Sequence, residues 1–94
     1  MTIAEERIAR LEAEAKAAAG RDDWDLSREY VRLARRIAER QRLRFPRRFD
    51  RFSCDGCDVF LRPGVNARVR LRGDHVVVTC CACGERMRYG YGEG

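Results

Sequence analysis

Two pairs of cysteines with the same spacing limit what this chain can fold into. Two residues separate Cys54 from Cys57, and two separate Cys80 from Cys83. One C-x-x-C turn can deliver two thiolates to one ion, and four thiolates complete a tetrahedral zinc site. The segment between the pairs slightly exceeds the usual zinc-ribbon spacing but is long enough for a β-hairpin. The sequence therefore predicts one structural zinc ion in a four-cysteine ribbon, with no coordination position left for a catalytic water.

The fifth cysteine and the single histidine are alternative ligands. Cys81 stands beside Cys80, but only Cys80 leaves the two-residue gap before Cys83, with Gly84 completing the turn. We therefore predict that Cys81 is a spare thiol. His75 is not needed once four cysteines complete the site. A thioredoxin-like redox pair is a further alternative, but it uses a single C-x-x-C beside a βαβ unit, which this sequence lacks.

The length of the chain indicates the number of domains, and its apolar segments and cysteine count indicate the cellular compartment. The 94 residues allow one small domain, in which a metal supplies stability that a small core does not. The first residues form no apolar signal region, and no stretch approaches the roughly 20 apolar residues of a membrane span. We expect a soluble, cytoplasmic protein with no membrane partner. A reducing compartment also favours metal ligands over disulfides for an odd number of cysteines.

The N-terminal half predicts two helices joined by a short connector. Thr2 begins a capping box, and apolar residues at helical spacing continue to Gly20, a candidate C′ residue. Asp23 is a candidate N-cap for a second helix that reaches about Arg44. Pro46 then ends the helical segment, because proline lacks the N–H that a helix needs.

The second predicted helix has more apolar surface than one neighbouring helix covers. Its apolar arc spans about 160°, whereas packing against one neighbour needs about 100°. The remainder meets either the ribbon or another protein. The arginines at positions 28, 32 and 35 are predicted to point away from this face. The residues predicted to form an interface with a protein partner are Leu26, Tyr30, Val31, Leu33, Ala34 and Ile37.

The C-terminal half predicts a small antiparallel sheet around the cysteines. It comprises a short strand at 58–61, a strand at 67–72, a hairpin turn at 73–74, a returning strand at 75–79 and a last strand at 86–89. The strand at 67–72 alternates apolar residues with arginines, so the apolar ones should face inward and the arginines outward. The residues predicted to face inward are Ala67, Val69 and Leu71.

Together these elements predict a small, metal-bound α+β fold. An antiparallel two-helix hairpin over residues 1–46 is followed by a zinc ribbon with four cysteine ligands over residues 47–94, and the two fold as one small unit. Residues 90–94 are predicted to be a frayed tail.

Positive charge is concentrated in the middle of the chain. Residues 32–72 hold thirteen of the twenty basic residues and four of the fifteen acidic ones. Nineteen of the twenty are arginine, whose guanidinium suits phosphate contacts and stacking on bases. This block predicts a nucleic-acid surface that reads phosphates and shape, since no recognition-helix pattern accompanies it. The residues predicted to bind RNA are Arg42, Arg44, Arg47, Arg48, Arg51, Arg62, Arg68, Arg70, Arg72, Arg86 and Arg88.

Aromatic residues are interleaved with the arginines just before the first cysteine pair. Phe45, Phe49 and Phe52 are chemically suited to stack on unpaired RNA bases. Alternatively, they form the small core of the ribbon. No Ser/His/Asp set, carboxylate pair or phosphate-binding glycine loop is present, so we do not expect this chain itself to catalyse a reaction.

Several short motifs together resemble the family of protein component 4 of archaeal ribonuclease P. The likeness covers residues 24–91, and the motif between the cysteine pairs is the most specific. The motifs are Tyr30-Val31-x-Leu33-Ala34-Arg35, Pro46-Arg47, Cys54-x-x-Cys57, Leu61-x-Pro63-Gly64-x-Asn66-x-Arg68-Val69-Arg70 and Thr79-Cys80-x-x-Cys83-Gly84.

The resemblance implies a helix hairpin joined to a zinc ribbon, one zinc per subunit, and a role in removing the 5′ leader from precursor tRNA. It implies that the catalytic site belongs to the RNA. It also implies that the helices bind the Sm-like-barrel protein subunit, alongside other holoenzyme subunits, and that basic residues contact the ribonuclease P RNA, with precursor tRNA a further partner. The alternative is a zinc-ribbon DNA-binding or transcription factor, which shares the metal site and basicity but not the helical hairpin.

Overall fold

A computed structural model describes residues 2–90, in which two long helices pack against each other and the chain continues into a three-stranded sheet. The elements are α1 (Ile3–Gly20), α2 (Trp24–Arg40), α3 (Arg47–Arg51), β1 (Ala67–Arg72), β2 (His75–Cys80) and β3 (Arg86–Gly90). The strands form one antiparallel sheet in the order β1-β2-β3. The predicted α+β class is confirmed. Within residues 2–90, no helix has the length and hydropathy needed to cross a membrane.

The predicted capping box begins α1, but the end of this helix differs from the prediction. Thr2 Oγ1 accepts a hydrogen bond from the Glu5 N–H at 3.1 Å, and Glu5 Oε1 accepts one from the Thr2 N–H at 2.8 Å. Gly20 is the last helical residue rather than C′. The left-handed C′ conformation falls on Asp22, with φ of 63°, and Asp23 N–H then bonds the Ala18 carbonyl at 2.9 Å.

Helix α2 ends at Arg40, four residues before the predicted end at Arg44. The stop is a Schellman motif, in which Arg42 adopts φ of 54° and Leu43 N–H bonds the Ala38 carbonyl at 2.8 Å. Leu43 packs against the helical core. This apolar tertiary contact accompanies the end of the helix at Arg40, so Pro46 is not the residue that ends it. Arg42 and Arg44 consequently lie in the connector that follows α2.

The core between the helices also takes in residues from the second half of the chain. Phe49 of α3 and Phe60 complete a cluster with residues of α1 and α2, so side chains cross the predicted division at residue 46. Val31 and Ala34 are fully buried in this cluster. The prediction that these two residues contact a partner protein is therefore wrong for this conformation. The buried members are Ile8, Ala15, Ala19, Val31, Ala34, Ala38, Phe49 and Phe60.

The predicted strand at 58–61 does not form. Only one isolated bridge, between Ser53 and Phe60, is present in this segment. Asp58 has φ of 66°, which breaks an extended conformation at the start of the segment. Val59 and Leu61 enter the ribbon core while Phe60 enters the helical core. The segment is thus buried on both sides and joins the two cores.

The ribbon core covers the sheet at the end near the cysteines, and the end near the hairpin turn is exposed. Ala67, opposite Cys80 in the register, lies in the ribbon core as predicted. Val69 is 40% exposed and Leu71 is 72% exposed, so the prediction that they face a core is wrong. The hairpin extends beyond the ribbon core, which covers only the end of the sheet near the cysteines. Gly90 ends β3, and the rest of the predicted tail, residues 91–94, lies outside the described residues.

Candidate metal centre and arginine face

The four predicted ligand cysteines come together at one point. Their sulfur atoms all lie within 4.8 Å of one another, with Cys54 Sγ 3.5 Å from Cys83 Sγ and Cys57 Sγ 3.8 Å from Cys80 Sγ. A tetrahedral zinc with Zn–S bonds of about 2.3 Å places its sulfurs about 3.8 Å apart. These separations suit ligands of one metal ion and are too long for disulfides. Cys81 is exposed and lies outside the cluster.

The two cysteine turns have the same backbone geometry. Asp58 N–H bonds the Cys54 carbonyl at 3.0 Å, and Gly84 N–H bonds the Cys80 carbonyl at 2.8 Å. Both donors have positive φ, 66° for Asp58 and 83° for Gly84. Glycine adopts this conformation without steric cost, and aspartate is among the few other residues that tolerate it. The first turn therefore carries a carboxylate where the second carries no side chain.

Burial and hydrogen bonding shift the pKa values of three of these cysteines in different directions. Burial raises the pKa of Cys54 and Cys80, because it penalises the charged thiolate. Burial acts in the same direction at Cys57, but hydrogen bonds from Val59 N–H and the Arg28 guanidinium outweigh it and lower that pKa. Thiolates, not thiols, bind metal. A cation at the centre would thus stabilise the charged form that burial alone disfavours at Cys54 and Cys80.

Three arginines of α2 reach residues of the first cysteine turn, and Arg32 remains exposed while it does so. Arg32 Nε lies 3.0 Å from Asp58 Oδ2, and Arg35 Nε lies 3.6 Å from Asp58 Oδ1. A hydrogen bond to Cys57 is the main cause that raises the pKa of Arg28. Sequence reasoning missed this role, although the i, i+4, i+7 spacing of the arginines marks one helix face. They attach α2 to the metal centre.

The Asn66 side chain explains part of the motif between the cysteine pairs. It is fully buried, where Oδ1 accepts a hydrogen bond from Arg62 N–H at 2.7 Å and Nδ2 donates one to the Phe60 carbonyl at 2.9 Å. Its own carbonyl accepts a bond from Cys81 N–H at 2.9 Å. Asn66 therefore fixes the loop before β1 and joins it to the second cysteine turn.

Five of the predicted RNA-binding arginines share one face of the sheet, here called the arginine face. Arg70 of β1 and Arg88 of β3 pair with Val77 from opposite sides, and Thr79 similarly separates Arg68 from Arg86. Since strands lie about 4.8 Å apart, the two rows of arginines are about 10 Å apart. The residues lining this face include no carboxylate: Arg68, Arg70, Arg72, His75, Val77, Thr79, Arg86 and Arg88.

The other six predicted arginines do not join this face. Arg62 Nη1 lies 3.4 Å from the Lys16 carbonyl, and the Arg51 guanidinium carbon lies 5.0 Å from the centre of the Tyr89 ring. Arg47 and Arg48 are exposed on α3. Arg42 and Arg44 lie in the connector after α2. The arginines that were predicted to form one nucleic-acid surface therefore lie on several separate surfaces.

The interleaved aromatic residues belong mainly to the core of the helices. Phe49 is fully buried, and its ring lies 4.7 Å from that of Phe45. Phe45 and Phe52 are half-buried and pack against the same cluster. The alternative of a core role is thus correct for Phe49, although the core is that of the helices and not that of the ribbon.

The remaining residues of the predicted partner interface differ in exposure. Leu33 is 42% exposed, whereas Leu26, Tyr30 and Ile37 are half-buried. These four stay available as a predicted docking surface on α2.

Comparison with known protein sequences identifies close relatives. Residues 7–84 match the family described as the RNAse P Rpr2/Rpp21/SNM1 subunit domain. Ribonuclease P protein component 4 of Halobacterium salinarum is 61% identical over 90 residues, which cover 96% of each chain. The protein of the same name from Methanocaldococcus jannaschii is 47% identical over 89 residues, covering 92% of this chain and 70% of the relative.

Solved structures show the same fold. A chain in the cryo-EM structure of archaeal ribonuclease P with mature tRNA superimposes with a TM-score of 0.86 at 45% identity, covering 94% of this chain and 76% of that chain. The structure of Pfu Rpp21 superimposes with a TM-score of 0.69 at 40% identity, covering 92% and 97%.

Proposed function

The chain belongs to the RNAse P Rpr2/Rpp21/SNM1 subunit family, and from this membership we propose that it is a noncatalytic protein subunit of an archaeal ribonuclease P. That ribonucleoprotein removes the 5′ leader from precursor tRNA. The observation that carries the proposal is 61% identity to a ribonuclease P protein component 4 over 96% of both chains. The RNA supplies the catalytic site in this proposal, and the chain supports the RNA fold.

The metal proposed for the cysteine cluster is one structural zinc ion. Support comes from an all-sulfur donor set in Cys54, Cys57, Cys80 and Cys83, whose sulfurs lie within 4.8 Å of one another. Four protein ligands complete a tetrahedral site and leave no position for a reacting water. The zinc would hold the ends of the sheet and thereby fix the arginine face. The cytoplasm, which keeps thiols reduced, is the proposed location.

The arginine face is the proposed contact with the ribonuclease P RNA. Five guanidinium groups in two rows favour phosphate oxygens, because arginine donates two parallel hydrogen bonds to such groups. Contacts of this kind position a protein on RNA without reading its sequence. Neutralising closely spaced phosphates would lower the magnesium concentration at which the RNA folds and cleaves. Precursor tRNA is a further proposed RNA partner in the holoenzyme.

The proposed protein partner is the Sm-like-barrel subunit of the holoenzyme. The exposed part of the α2 apolar face supports this role, because it is centred on Leu33, with Leu26, Tyr30 and Ile37 contributing their half-buried edges. An exposed apolar strip on a helix is a common protein-docking surface.

Reconstitution with ribonuclease P RNA and the other protein subunits tests this function. Adding the zinc-loaded chain should increase cleavage of precursor tRNA most at limiting magnesium. Competition binding at one stated salt concentration should show tighter binding to ribonuclease P RNA than to duplex DNA. No stimulation, together with equal or tighter DNA binding, would instead favour a zinc-ribbon DNA-binding factor.

A further inference from the structure

A groove of about 320 Å³ lies between α1, the end of α3 and the loop before β1. Phe52, Leu61 and Pro63 form its apolar floor. The Phe52 ring stacks on Phe60, with centroids 6.1 Å apart and an interplanar angle of 23°, and Phe52 stays partly exposed. The groove thus contains an aromatic ring held in place by the core. Such rings are the surfaces on which unpaired bases stack.

Three cationic side chains line the same groove. Lys16 comes from α1, Arg48 from α3 and Arg62 from the loop, and Glu12 is the single carboxylate among the lining residues. Arg62 is held in place where its guanidinium packs over Gly20 and approaches the Lys16 carbonyl. The excess of positive charge beside an apolar floor favours a ligand that has both an anionic group and a flat apolar group.

We propose that this groove binds one unpaired nucleotide of an RNA strand. The base would pack against Phe52 and Pro63, and its phosphate would lie between Arg48 and Arg62. An apolar protein segment would match the floor, but it would leave three cations desolvated with only the Glu12 carboxylate to offset them, which is costly. A base inside a duplex is already stacked on its neighbours and cannot enter.

This inference rests on the proposed RNA-binding function and deepens it. The arginine face provides five guanidinium groups, with the small His75 imidazole as the one ring among its lining residues, so it suits phosphates of structured RNA. The groove adds an aromatic ring, so it suits a single strand. We therefore expect mutations in the groove to weaken binding of single-stranded RNA, and mutations in the arginine face to weaken binding of structured RNA.

Binding measurements on the zinc-loaded 94-residue chain distinguish the groove from the arginine face. The probes are a single-stranded oligoadenylate of about ten nucleotides, a length within the usual range of single-strand sites, and an RNA hairpin. Phe52→Leu retains an apolar side chain over Phe60, and it should weaken binding of the single strand about tenfold, as expected for one lost stacking contact. Hairpin affinity should stay within twofold. Arg70→Ala should weaken hairpin binding more than single-strand binding.

A second pair of variants covers the case in which Phe52→Leu does not fold. Arg48→Ala changes an exposed rim residue and should reduce the salt dependence of single-strand binding by about one unit of slope. Arg36→Ala, an exposed arginine of α2, is the matched control and should leave that slope unchanged. A folded Arg48→Ala variant with wild-type single-strand affinity and salt dependence would overturn the inference, whether or not Phe52→Leu folds.

Crosslinking in the reconstituted holoenzyme identifies the occupant. Val65, at the edge of the groove and 45% exposed, is replaced by a photoreactive benzoylphenylalanine. A crosslink to RNA supports the inference, whereas a crosslink only to a protein subunit overturns it. If the wild-type chain stimulates precursor cleavage but the photoreactive Val65 variant gives no RNA crosslink, the groove inference fails while the proposed function stands. If the wild-type chain gives no stimulation, the proposed function fails.

Discussion

The hydroxyl of Ser27 accepts a hydrogen bond from the backbone N–H of Phe60 at 3.1 Å, and it donates one to the backbone carbonyl of Ala15 at 2.9 Å. Ser27 is fully buried. One small side chain therefore joins α1, α2 and the loop that follows the first cysteine pair. The orientation of the ribbon on the helices depends on this polar contact as well as on the apolar core.

Ser27→Ala should destabilise the chain by about 1–3 kcal/mol, because it leaves the buried Phe60 N–H without an acceptor. Denaturant unfolding at saturating zinc measures this loss. Glu29→Ala changes an exposed residue of the same helix and should alter the free energy of unfolding by no more than about 0.5 kcal/mol. Equal stability of the Ser27→Ala variant and the wild type would contradict this role of the hydroxyl.

Asp58→Asn should weaken the attachment of α2 to the first cysteine turn without straining the backbone, since asparagine also tolerates positive φ. The partly exposed ion pairs with Arg32 and Arg35 should contribute at most about 1 kcal/mol each. A double-mutant cycle with Arg32→Ala, measured at low and high salt, isolates the first pair. A coupling energy near zero at low salt would mean that this pair contributes nothing to docking.

Cys57→Ser should abolish stoichiometric zinc binding, because it removes one of four converging thiolates. Cys81→Ser should retain one zinc per chain, since Cys81 lies outside the cluster. Metal analysis of the purified proteins, with circular dichroism for folding, distinguishes the two. Loss of zinc from Cys81→Ser would require a different ligand set.

Leu33→Asp should weaken association with the Sm-like-barrel subunit at least tenfold while zinc content and stability stay near wild type. Leu33 is exposed in the isolated chain, so an aspartate there is solvated until the partner covers it, and only the complex incurs the cost. Titration calorimetry measures the affinity. Arg40→Asp, at an exposed position near the end of α2, is the control. Unchanged affinity for Leu33→Asp would place the partner elsewhere.

Arg70→Ala should weaken binding of structured RNA similarly for different sequences, because phosphate contacts carry no base information. The slope of log affinity against log salt should fall by about one for each lost phosphate contact. Arg36→Ala, outside the arginine face, should leave the slope unchanged. A loss confined to one RNA sequence would indicate base readout at this face.

The sequence by itself determined the features that depend on neighbouring residues. The C-x-x-C spacing placed Cys54 near Cys57 and Cys80 near Cys83, because a tight turn brings the two cysteines of one pair together. Alternation along 67–72 located β1 and the side of the sheet that carries its arginines. These predictions succeeded because turn geometry, capping and strand alternation are local.

The tertiary structure alone decided which faces are covered. Val31 and Ala34 are buried while Leu71 is exposed, although all three lie on predicted apolar faces. Arg32 points to a carboxylate 26 residues away in the chain, and Ser27 holds the loop at Phe60. Helical or strand periodicity shows that a face is apolar or polar, but only the packing of distant segments determines what lies against it.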